Sequence, residues 1–486
     1  MTPAELGPSD PGPSNAGADA VADARSGGGP EAGEEVDVVV LGLGPGGEDV
    51  AGRLAEAGLQ VLAVDHALVG GECPYWGCVP TKMMIRAAGA LAEARRVAGL
   101  AGTVGSVVPD WSLVADRIRD QATDDWDDRV AVERLQGKGA RVVHGHGRLV
   151  RPGEVEVEGA RWTARRGVVV ATGSAPAVPP IEGLGDVEYW TNHGFVEARD
   201  LPSSMVVLGG GTVGCELAQV AARFGVRVVV VEMAPRLLAA EEPRSSDLAR
   251  HALEADGVEV RTGVGAVAVE GGGPGGAVKV RLADGVVLSA DRLLVASGRR
   301  IDVVAAGLDS VGVDPKAKAV PTDEWCRVAD GVWALGDLLG HGAFTHMSMF
   351  EADVVVRDVL GQGGAPATYH AVPRVTFLDP EIGSVGLTEQ AAREQYPRVR
   401  VGTVDIAGVS RGWIHGPGAE GFICVVEDAD RGVLVGATSA GPAGGEVLGL
   451  LALAVQARVP VATLLSMPYA YPTFHRGIES ALRALA

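Results

Sequence analysis

Two cysteines, Cys73 and Cys78, stand with four residues between them in the stretch GGECPYWGCVPTK, residues 70–82. Such a pair can form a structural disulfide, bind a metal ion or act as a redox couple. Residues five apart in a regular α-helix rise about 7.5 Å and lie on different faces, whereas a disulfide needs Cα atoms within about 7 Å. Pairing therefore requires an irregular backbone between the two cysteines, and Pro74 and Gly77 permit one.

The other cysteines and histidines favour redox chemistry for this pair. A structural zinc ion needs two more ligands at matching spacing, and the sequence has no second Cys-x-x-Cys and no nearby pair of histidines. No metal site is therefore expected. The 5 cysteines of the chain are too few for a disulfide scaffold and fit a reducing cytoplasm, where a disulfide is usually catalytic. Two unrelated buried thiols are the remaining alternative.

Two longer segments share a pattern that can position a dinucleotide. Residues 36–65 and 205–232 each combine an apolar strand, a Gly-rich turn, an amphipathic helix and a second strand that ends in an acid. In this Gly-x-Gly-x-x-Gly arrangement the backbone approaches a pyrophosphate at the helix N-terminus, and the acid accepts a hydrogen bond from a ribose hydroxyl. The two sets are Gly42, Gly44, Gly47 with Asp65, and Gly209, Gly211, Gly214 with Glu232. Each acid follows the first glycine by 23 residues; glycines that serve only close helix packing are the alternative.

The acid of the second unit bears on the choice of nucleotide. A carboxylate at Glu232 repels a ribose phosphate, which an arginine would attract. NADH is therefore favoured over NADPH at this site. Arg236 lies four residues further on and keeps NADPH open.

The remaining segments indicate how the domains are organised. Residues 331–340 (GVWALGDLLG) resemble a return to the first unit, so the second unit is expected to be inserted into the first. From about residue 367 the sequence pattern changes to short strands followed by helical stretches, which predicts a third, α+β domain. The predicted fold is α/β with two Rossmann-like domains. The expected boundaries are 36–185 and 301–366 for the first domain, 186–300 for the second and 367–486 for the third.

Composition limits the class of partner and the compartment. Residues 1–35 are rich in Gly, Pro, Ala, Ser and Asp and predict a disordered tail, either dispensable or used for regulation or docking. No secretory signal and no apolar run of membrane-spanning length occurs. The net charge of -20 argues against nucleic acid and anionic membranes as partners. A cytoplasmic protein without membrane contact is expected.

The cysteine stretch, placed between these two units, resembles the active-site motif of the flavoprotein disulfide reductases. This pyridine nucleotide-disulfide oxidoreductase family includes dihydrolipoyl dehydrogenase, glutathione reductase and mercuric reductase, and the resemblance covers about residues 36–486. It implies an FAD-binding domain, an NAD-binding domain and a C-terminal α+β dimerisation domain that makes a homodimer. It also implies that NADH reduces a Cys73–Cys78 disulfide through FAD.

The resemblance further implies roles for single residues. Cys78 matches the charge-transfer thiol beside the flavin, and Cys73 matches the exposed interchange thiol. Lys82 matches the lysine near flavin N5, with Glu216 as its ion-pair partner. A thiolate at a helix start near a lysine is expected to have a depressed pKa. The implied FAD residues are Gly42, Gly44, Gly47, Asp65, Gly71, Lys82, Thr172, Gly173 and Asp337; the implied NAD(H) residues are Gly209, Gly211, Gly214 and Glu232, with Arg299 as a further cofactor-binding candidate.

One part of the family pattern is missing. The family ends with His-Pro-Thr-x-x-Glu, whose His is the acid/base for the dithiol substrate and whose Glu orients it. Here the segment reads AYPTFHRGIE, with Tyr471 in place of the His and Arg476 in place of the Glu. Tyrosine titrates near 10 and is a poor base at pH 7. His475 and Glu479 can rebuild a shifted pair one turn along, or they form an ordinary helix surface pair.

The acceptor is accordingly left open between three hypotheses. The first is a reductase of a disulfide substrate, attacked by Cys73. The second is an NADH-dependent reductase of quinones or other small acceptors, which needs no His base. The third is a dihydrolipoyl dehydrogenase-like subunit kept for docking in a larger complex. Mercuric reductase is disfavoured because the chain ends in SALRALA, without a terminal cysteine pair. Tyr75 and Trp76 either line a flat acceptor pocket or merely pack.

Overall fold

The computed structural model of the protein describes residues 34–272 and 276–485. All but the last two residues of the predicted tail lie outside these ranges. Within them the chain forms three regions, each built around its own main sheet. The predicted α/β fold class is confirmed.

The first region carries the first dinucleotide pattern. Its strands are β1 (Glu35–Leu41), β2 (Val61–Asp65), β3 (Arg141–His144), β4 (Gly147–Arg151), β5 (Glu154–Val157), β6 (Ala160–Val170) and β7 (Ala175–Pro176). Its helices are α1 (Pro45–Glu56), α2 (Glu72–Tyr75), α3 (Cys78–Arg96), α4 (Ser112–Arg117) and α5 (Arg129–Gly137). The Val-rich runs of β1, β2 and β6 are buried almost throughout where they pair in parallel, as expected for strands covered on both faces. Pro45 begins α1, where its missing N–H costs nothing.

The second region repeats the pattern. Its helices are α6 (Asn192–Val196), α7 (Thr212–Arg223) and α8 (Pro243–Ala255). Its strands are β8 (Ser204–Leu208), β9 (Arg227–Glu232), β10 (Glu259–Thr262), β11 (Ala266–Gly271), β12 (Val278–Leu282), β13 (Val287–Ala290), β14 (Arg292–Val295) and β15 (Arg299–Arg300). A parallel sheet has the order β10-β9-β8-β14, beside an antiparallel sheet β11-β12-β13. Strand β15 pairs with β7, so the stretches entering and leaving this region lie side by side.

The chain then returns to the first sheet. The returning segment contains α9 (Val303–Ala306), β16 (Arg327–Ala329), β17 (Val332–Ala334) and α10 (Thr345–Val359). Strand β17 pairs in parallel with β6, which completes a sheet of order β16-β17-β6-β1-β2-β3 with β4 and β5 attached through β6. The second region is thus an insertion between β7 and β16. The domain boundaries expected from the sequence stay predictions.

The third region is an antiparallel sheet of order β18-β19-β22-β21-β20 with helices packed on it. Its strands are β18 (Pro373–Thr376), β19 (Glu381–Gly386), β20 (Val399–Asp405), β21 (Phe422–Asp428) and β22 (Val433–Gly441). Its helices are α11 (Glu389–Gln395), α12 (Ser410–His415), α13 (Gly444–Gln456), α14 (Val461–Ser466) and α15 (Arg476–Arg483).

A shared apolar core fixes the helix that follows the cysteines. Met84 and Ala88 of α3 belong to one buried cluster together with Val207 of the second region and Leu378 of the third. Helix α3 is therefore held by all three regions. Among the described residues, no helix combines the length and apolar character that crossing a membrane would take.

Candidate redox and dinucleotide sites

The two cysteines lie in two separate helices with a sharp turn between them. Helix α2 ends at Tyr75, and α3 begins at Cys78. A Cβ on Gly77 would lie 2.9 Å from the Glu72 carbonyl oxygen and 3.3 Å from the Cys73 Cα. Only glycine fits this turn without displacing the backbone that carries Cys73. The irregular backbone that pairing requires is therefore present.

The two thiols are free in this structure and strongly unequal. A hydrogen bond from Cys73 lowers the pKa of Cys78 to about 6, against the effect of burial and with help from Thr345 and the charge of Lys82. The same hydrogen bond, together with burial, raises the pKa of Cys73 above its ordinary range. The Sγ of Cys78 lies 3.4 Å from the Thr345 Oγ1 at the start of α10. Cys78 is thus the more acidic thiol of the pair.

The two thiols differ in exposure within the protein itself. Cys73 is half-buried, because it lies inside the short helix α2 where the Gly77 turn packs against its Cα, whereas Cys78, the first residue of α3, is exposed. The resemblance implies that a flavin covers Cys78, so the roles of interchange and charge-transfer thiol stay predictions.

Lys82 and Glu216 form an ion pair between α3 and α7. The Lys82 Nζ lies 2.7 Å from the Glu216 Oε2. The other carboxylate oxygen of Glu216 accepts a hydrogen bond of 2.7 Å from the Phe377 amide, and the Lys82 Nζ lies 4.7 Å from the centre of the Phe377 ring. The side chain of Glu216 is 4% exposed. The pair therefore joins all three regions one turn after Cys78.

The first glycine turn has room for a phosphate at one position only. A Cβ on Gly42 would lie 2.4 Å from the Ala171 carbonyl oxygen, and one on Gly47 would lie 2.0 Å from the Gly42 oxygen. A Cβ on Gly44 would meet no atom within 4 Å. The outer glycines thus serve close packing, while the middle one leaves the N-terminus of α1 open to a ligand. The Asp65 carboxylate accepts hydrogen bonds of 2.6 and 2.9 Å from the Leu43 and Ala67 amides.

The second glycine turn has the same geometry. A Cβ on Gly209 would lie 2.3 Å from the Ala296 oxygen, one on Gly214 would lie 2.0 Å from the Gly209 oxygen, and one on Gly211 would meet nothing. The Glu232 carboxylate accepts hydrogen bonds of 2.6 Å from both the Gly210 and Ala234 amides. Both turns therefore fit a dinucleotide.

Arg236, which left the nucleotide choice open, is held by its own loop. Its guanidinium donates to the Ser246 Oγ at 2.7 Å and to the Ala239 carbonyl at 2.6 Å. These contacts direct its charge to residues 239–246 in this structure.

Five further predicted cofactor positions meet near the first turn. A Cβ on Gly71 would lie 2.8 Å from the Gly44 Cα, so the cysteine segment touches the phosphate turn. Thr172 and Gly173 follow directly after β6. Arg299 Nε donates to the Ser174 Oγ at 2.7 Å and lies 3.5 Å from the Asp337 Oδ2. Ser174 Oγ donates to the same Asp337 oxygen at 2.5 Å.

The sequence did not indicate three residues that contact the predicted site residues or their neighbours. Ser174 lies in the turn after β6, Thr345 contacts Cys78, and Glu351 accepts a hydrogen bond of 2.6 Å from the Gly336 amide beside Asp337. Ser174 stands directly after Thr172 and Gly173, so its position was a signal. Thr345 and Glu351 stand in no motif considered from the sequence.

In the C-terminal segment, Glu479 pairs with arginines of its own chain. The Glu479 carboxylate lies 2.8 Å from Arg483 and 3.3 Å from Arg476, and no hydrogen bond joins it to His475 within the described chain. Within one chain two arginines of the same helix therefore bind this carboxylate, and the shifted pair considered from the sequence stays a prediction. Tyr471 is 67% exposed, with the Arg476 guanidinium 5.6 Å from its ring centre.

The aromatic residues between the cysteines pack against their surroundings. Tyr75 is 5% exposed, and its hydroxyl donates to the Val69 carbonyl at 3.3 Å. Trp76 stacks on His193 with ring centres 4.3 Å apart and an angle of 3° between the planes. Tyr75 therefore lines no open pocket. Among residues 34–272 and 276–485 no cluster of three metal-ligating side chains occurs.

Comparisons with known proteins point in one direction. Residues 36–352 match the family described as pyridine nucleotide-disulphide oxidoreductase, and residues 372–482 match its dimerisation domain. A dihydrolipoyl dehydrogenase from Chlorobaculum tepidum is 33% identical over 92% of this chain and 96% of its own length. A mercuric reductase from Staphylococcus aureus is 28% identical over 92% of this chain and 82% of its own.

Solved structures share the fold. The HOCl-induced flavoprotein disulfide reductase RclA from Escherichia coli, in a Cu(II) complex, superimposes with a TM-score of 0.81 at 23% identity, covering 93% of this chain and 99% of that one. LpdA from Mycobacterium tuberculosis gives a TM-score of 0.80 at 24% identity with the same coverage.

Proposed function

The chain belongs to the pyridine nucleotide-disulphide oxidoreductase family, and on that premise we propose that it passes electrons from NADH to a Cys73–Cys78 disulfide and on to a disulfide or small-molecule acceptor. One observation carries the proposal. The two thiols lie across the Gly77 turn, and Cys73, Thr345 and the charge of Lys82 lower the pKa of Cys78. A low-pKa thiolate next to a second thiol is the arrangement of a redox couple, since the thiolate is the nucleophile of disulfide exchange.

Members of this family use FAD and a pyridine nucleotide, and the two glycine turns fit both. We assign FAD to the first turn and its neighbours, Gly71, Asp65 and Asp337. When bound, FAD supplies the two-electron relay between the nicotinamide and the disulfide. We assign NAD(H) to the second turn, because Glu232 is fixed there by two amides and Arg236 is held by its own loop. A ribose phosphate would meet a carboxylate with no free cation from Arg236.

The chain's own residues divide the work of exchange. Once Cys73 and Cys78 are reduced, Cys73 passes its proton to the Cys78 thiolate and attacks one sulfur of a substrate disulfide, and the other substrate sulfur leaves as a thiolate. Cys78 then returns that proton to the first leaving thiolate and attacks Cys73, which restores the Cys73–Cys78 bond and releases the second substrate thiolate. The cysteine pair thus supplies one of the two protons that convert both products to thiols, and water supplies the other. The Cys78 thiolate itself is stabilised by Thr345 and Lys82.

The exposed Tyr471 argues against lipoamide or glutathione as the efficient substrate. Losing a positioned general base typically costs about 10²–10⁴ in rate, and Glu479 is taken up by arginines instead of orienting a histidine. A small acceptor such as a quinone, which needs no such base, is therefore the second candidate. Retention as a docking subunit of a larger complex is a third, which intact cysteines and cofactor turns disfavour.

Turnover with four acceptors tests the proposal. The rate of NADH oxidation by the FAD-loaded enzyme is measured with each of four acceptors in turn: lipoamide, glutathione disulfide, an aromatic disulfide and a quinone. We expect the aromatic disulfide or the quinone to exceed lipoamide and glutathione disulfide by about 10² or more. Efficient lipoamide turnover that persists in His475→Ala would contradict the inference from Tyr471. Turnover with none of the four, together with recovery of an oxo-acid dehydrogenase complex on pull-down, would favour the docking role.

We also propose a homodimer built through the third region, because residues 372–482 match the family's dimerisation domain. Sedimentation velocity should give twice the chain mass, and a monomer at micromolar concentration would contradict this. A cytoplasmic location is proposed from the small number of cysteines alone.

A further inference from the structure

An acidic residue directly before Cys73 has an unusual number of partners. The Glu72 Oε1 lies 2.6 Å from the His193 Nε2. The Glu72 Oε2 accepts a hydrogen bond of 3.2 Å from the Asn192 side chain and lies 3.6 Å from the Arg299 guanidinium. The Glu72 side chain is 35% exposed. This carboxylate is thus anchored by three residues that lie more than a hundred positions away in the sequence.

The same two residues of α6 also hold the other side of the cysteine turn. The Asn192 side-chain amide donates a second hydrogen bond, of 3.0 Å, to the Trp76 carbonyl. The His193 ring stacks on the Trp76 indole, whose Nε1 donates to the Glu197 carboxylate at 2.6 Å. Glu72 directly precedes Cys73, and Trp76 lies between the two cysteines, separated from Cys78 by Gly77 alone. Asn192 and His193 therefore bind the turn on both sides of Cys73.

The charges at this junction are complementary. Burial raises the pKa of Glu72, but the hydrogen bond from His193 and the charge of Arg299 outweigh it, and the pKa lies below its usual range. Glu72 is therefore ionised at neutral pH and can only accept hydrogen bonds. His193 must accordingly donate from Nε2. Arg299 also lies near Asp337, so Glu72 connects the cysteine turn to the proposed flavin-binding residues.

We propose that Glu72, Asn192 and His193 are positioning residues that hold Cys73 within hydrogen-bonding reach of Cys78 in the reduced protein. The mechanism follows from the turn. Cys73 can donate to the Cys78 thiolate only while α2 and the start of α3 keep their present approach. Gly77 allows this approach but adds conformational freedom, and the contacts of α6 remove that freedom. The inference rests on the proposed redox role of the cysteine pair.

The prediction concerns the Cys78 thiolate and can be measured without any substrate. The groups that face Cys78 are Cys73, Thr345 and Lys82, and none of them is altered by a change in α6. Weakening the Cys73 donation should raise the pKa of Cys78. In His193→Ala we expect the pH profile of Cys78 alkylation to move up by about one unit, which slows alkylation below pH 6 by about tenfold.

The experiment uses the reduced, FAD-loaded protein. Iodoacetamide labelling of Cys78 is followed by mass spectrometry from pH 5 to 9 in wild type, His193→Ala, Glu72→Gln and His193→Gln. Glu72→Gln should shift the profile in the same direction, and His193→Gln, which keeps an N–H donor, should lie closer to wild type. The control is His251→Ala, a change at an exposed histidine of α8, which should leave the profile unchanged.

Two results would overturn the inference. One is an unchanged profile in both His193→Ala and Glu72→Gln. The other is a lower melting temperature in these variants without a shift of the profile, which would assign α6 a purely structural role. A shifted profile in an enzyme that reduces none of the tested acceptors would leave the positioning role intact and count against the proposed function alone.

Discussion

The cysteine segment, residues 70–82, and the C-terminal segment, residues 471–479, differ in how their chemical groups are supported. In the first, Cys73, Thr345 and Lys82 lower the pKa of Cys78, and the contact of Glu72 with His193 anchors the segment. In the second, Tyr471 is exposed and the carboxylate of Glu479 is bound by arginines. The segment proposed to receive electrons therefore keeps the family pattern, while the segment that handles the protons of a dithiol substrate in that pattern is altered.

The largest effect is expected from a substitution in the cysteine segment. Under the proposed mechanism Cys73→Ser removes the nucleophile for disulfide substrates, so we expect disulfide reduction to fall by at least about 10³-fold. Steady-state NADH oxidation with an aromatic disulfide measures it. Tyr471→Phe is the matched change in the second segment and should alter the rate less than about threefold. A Cys73→Ser enzyme with more than a tenth of wild-type turnover would remove Cys73 from this role.

The next largest effect is expected from restoring the family residues in the C-terminal segment. Tyr471→His combined with Arg476→Glu restores the His and Glu that the family pattern places there. We expect lipoamide turnover to rise by about 10², the lower end of what a positioned general base contributes. The same assay on Tyr471→Phe provides the baseline. No gain in the double variant would show that the segment is unsuited to lipoamide for reasons beyond the missing base.

A smaller effect is expected on the free energy of unfolding, where loss of a buried ion pair is compared with loss of a surface pair. Lys82→Met leaves the buried carboxylate of Glu216 without its cation. Loss of one partner from a fully buried pair costs about 3–5 kcal/mol; because Lys82 is about one-third exposed, we expect about 2 kcal/mol in the free energy of unfolding by urea. The control is Arg393→Met, which breaks the exposed Glu389–Arg393 pair and should cost less than about 1 kcal/mol. Equal losses in both variants would contradict the special burial of Glu216.

The smallest effect is a pH dependence confined to the cysteine segment. The pKa of Cys78 is depressed to about 6, so its ionisation stabilises the reduced folded state at and above the ordinary thiol range, and this contribution is lost as pH falls toward 6. Urea unfolding of the reduced protein should therefore become easier between pH 8 and pH 6. The slope should vanish in Cys78→Ser. A slope that persists there belongs to other groups.

The sequence predicted those parts of the site whose geometry is local. The outer glycines must pack closely and the acids must follow at a fixed distance, so spacing alone predicted the geometry of both glycine turns. The pairing of Lys82 with Glu216 came only from the family resemblance, because 134 residues separate them. The contact of Glu72 with His193 spans 121 residues and belongs to no periodic pattern, so nothing in the sequence indicated it.

Two details of the observed site also lie beyond what the sequence spacing encodes. The exposure of Cys73 depends on how the Gly77 turn folds back onto α2, which sequence spacing does not encode. His475 and Glu479 are four residues apart, as a helical pair requires, but Arg476 and Arg483 also reach Glu479 and carry full charges. A charged arginine is a stronger partner for a carboxylate than a neutral histidine.

The most direct test of the central claim is an anaerobic NADH titration of the FAD-loaded enzyme, followed by its long-wavelength absorbance. If Cys78 is the thiolate next to the flavin, two-electron reduction should produce a thiolate-to-flavin charge-transfer band in wild type. The band should persist in Cys73→Ser and be absent in Cys78→Ser. A wild-type enzyme that is fully reduced by NADH without ever showing this band would contradict the assignment of Cys73 and Cys78 as a flavin-linked redox pair.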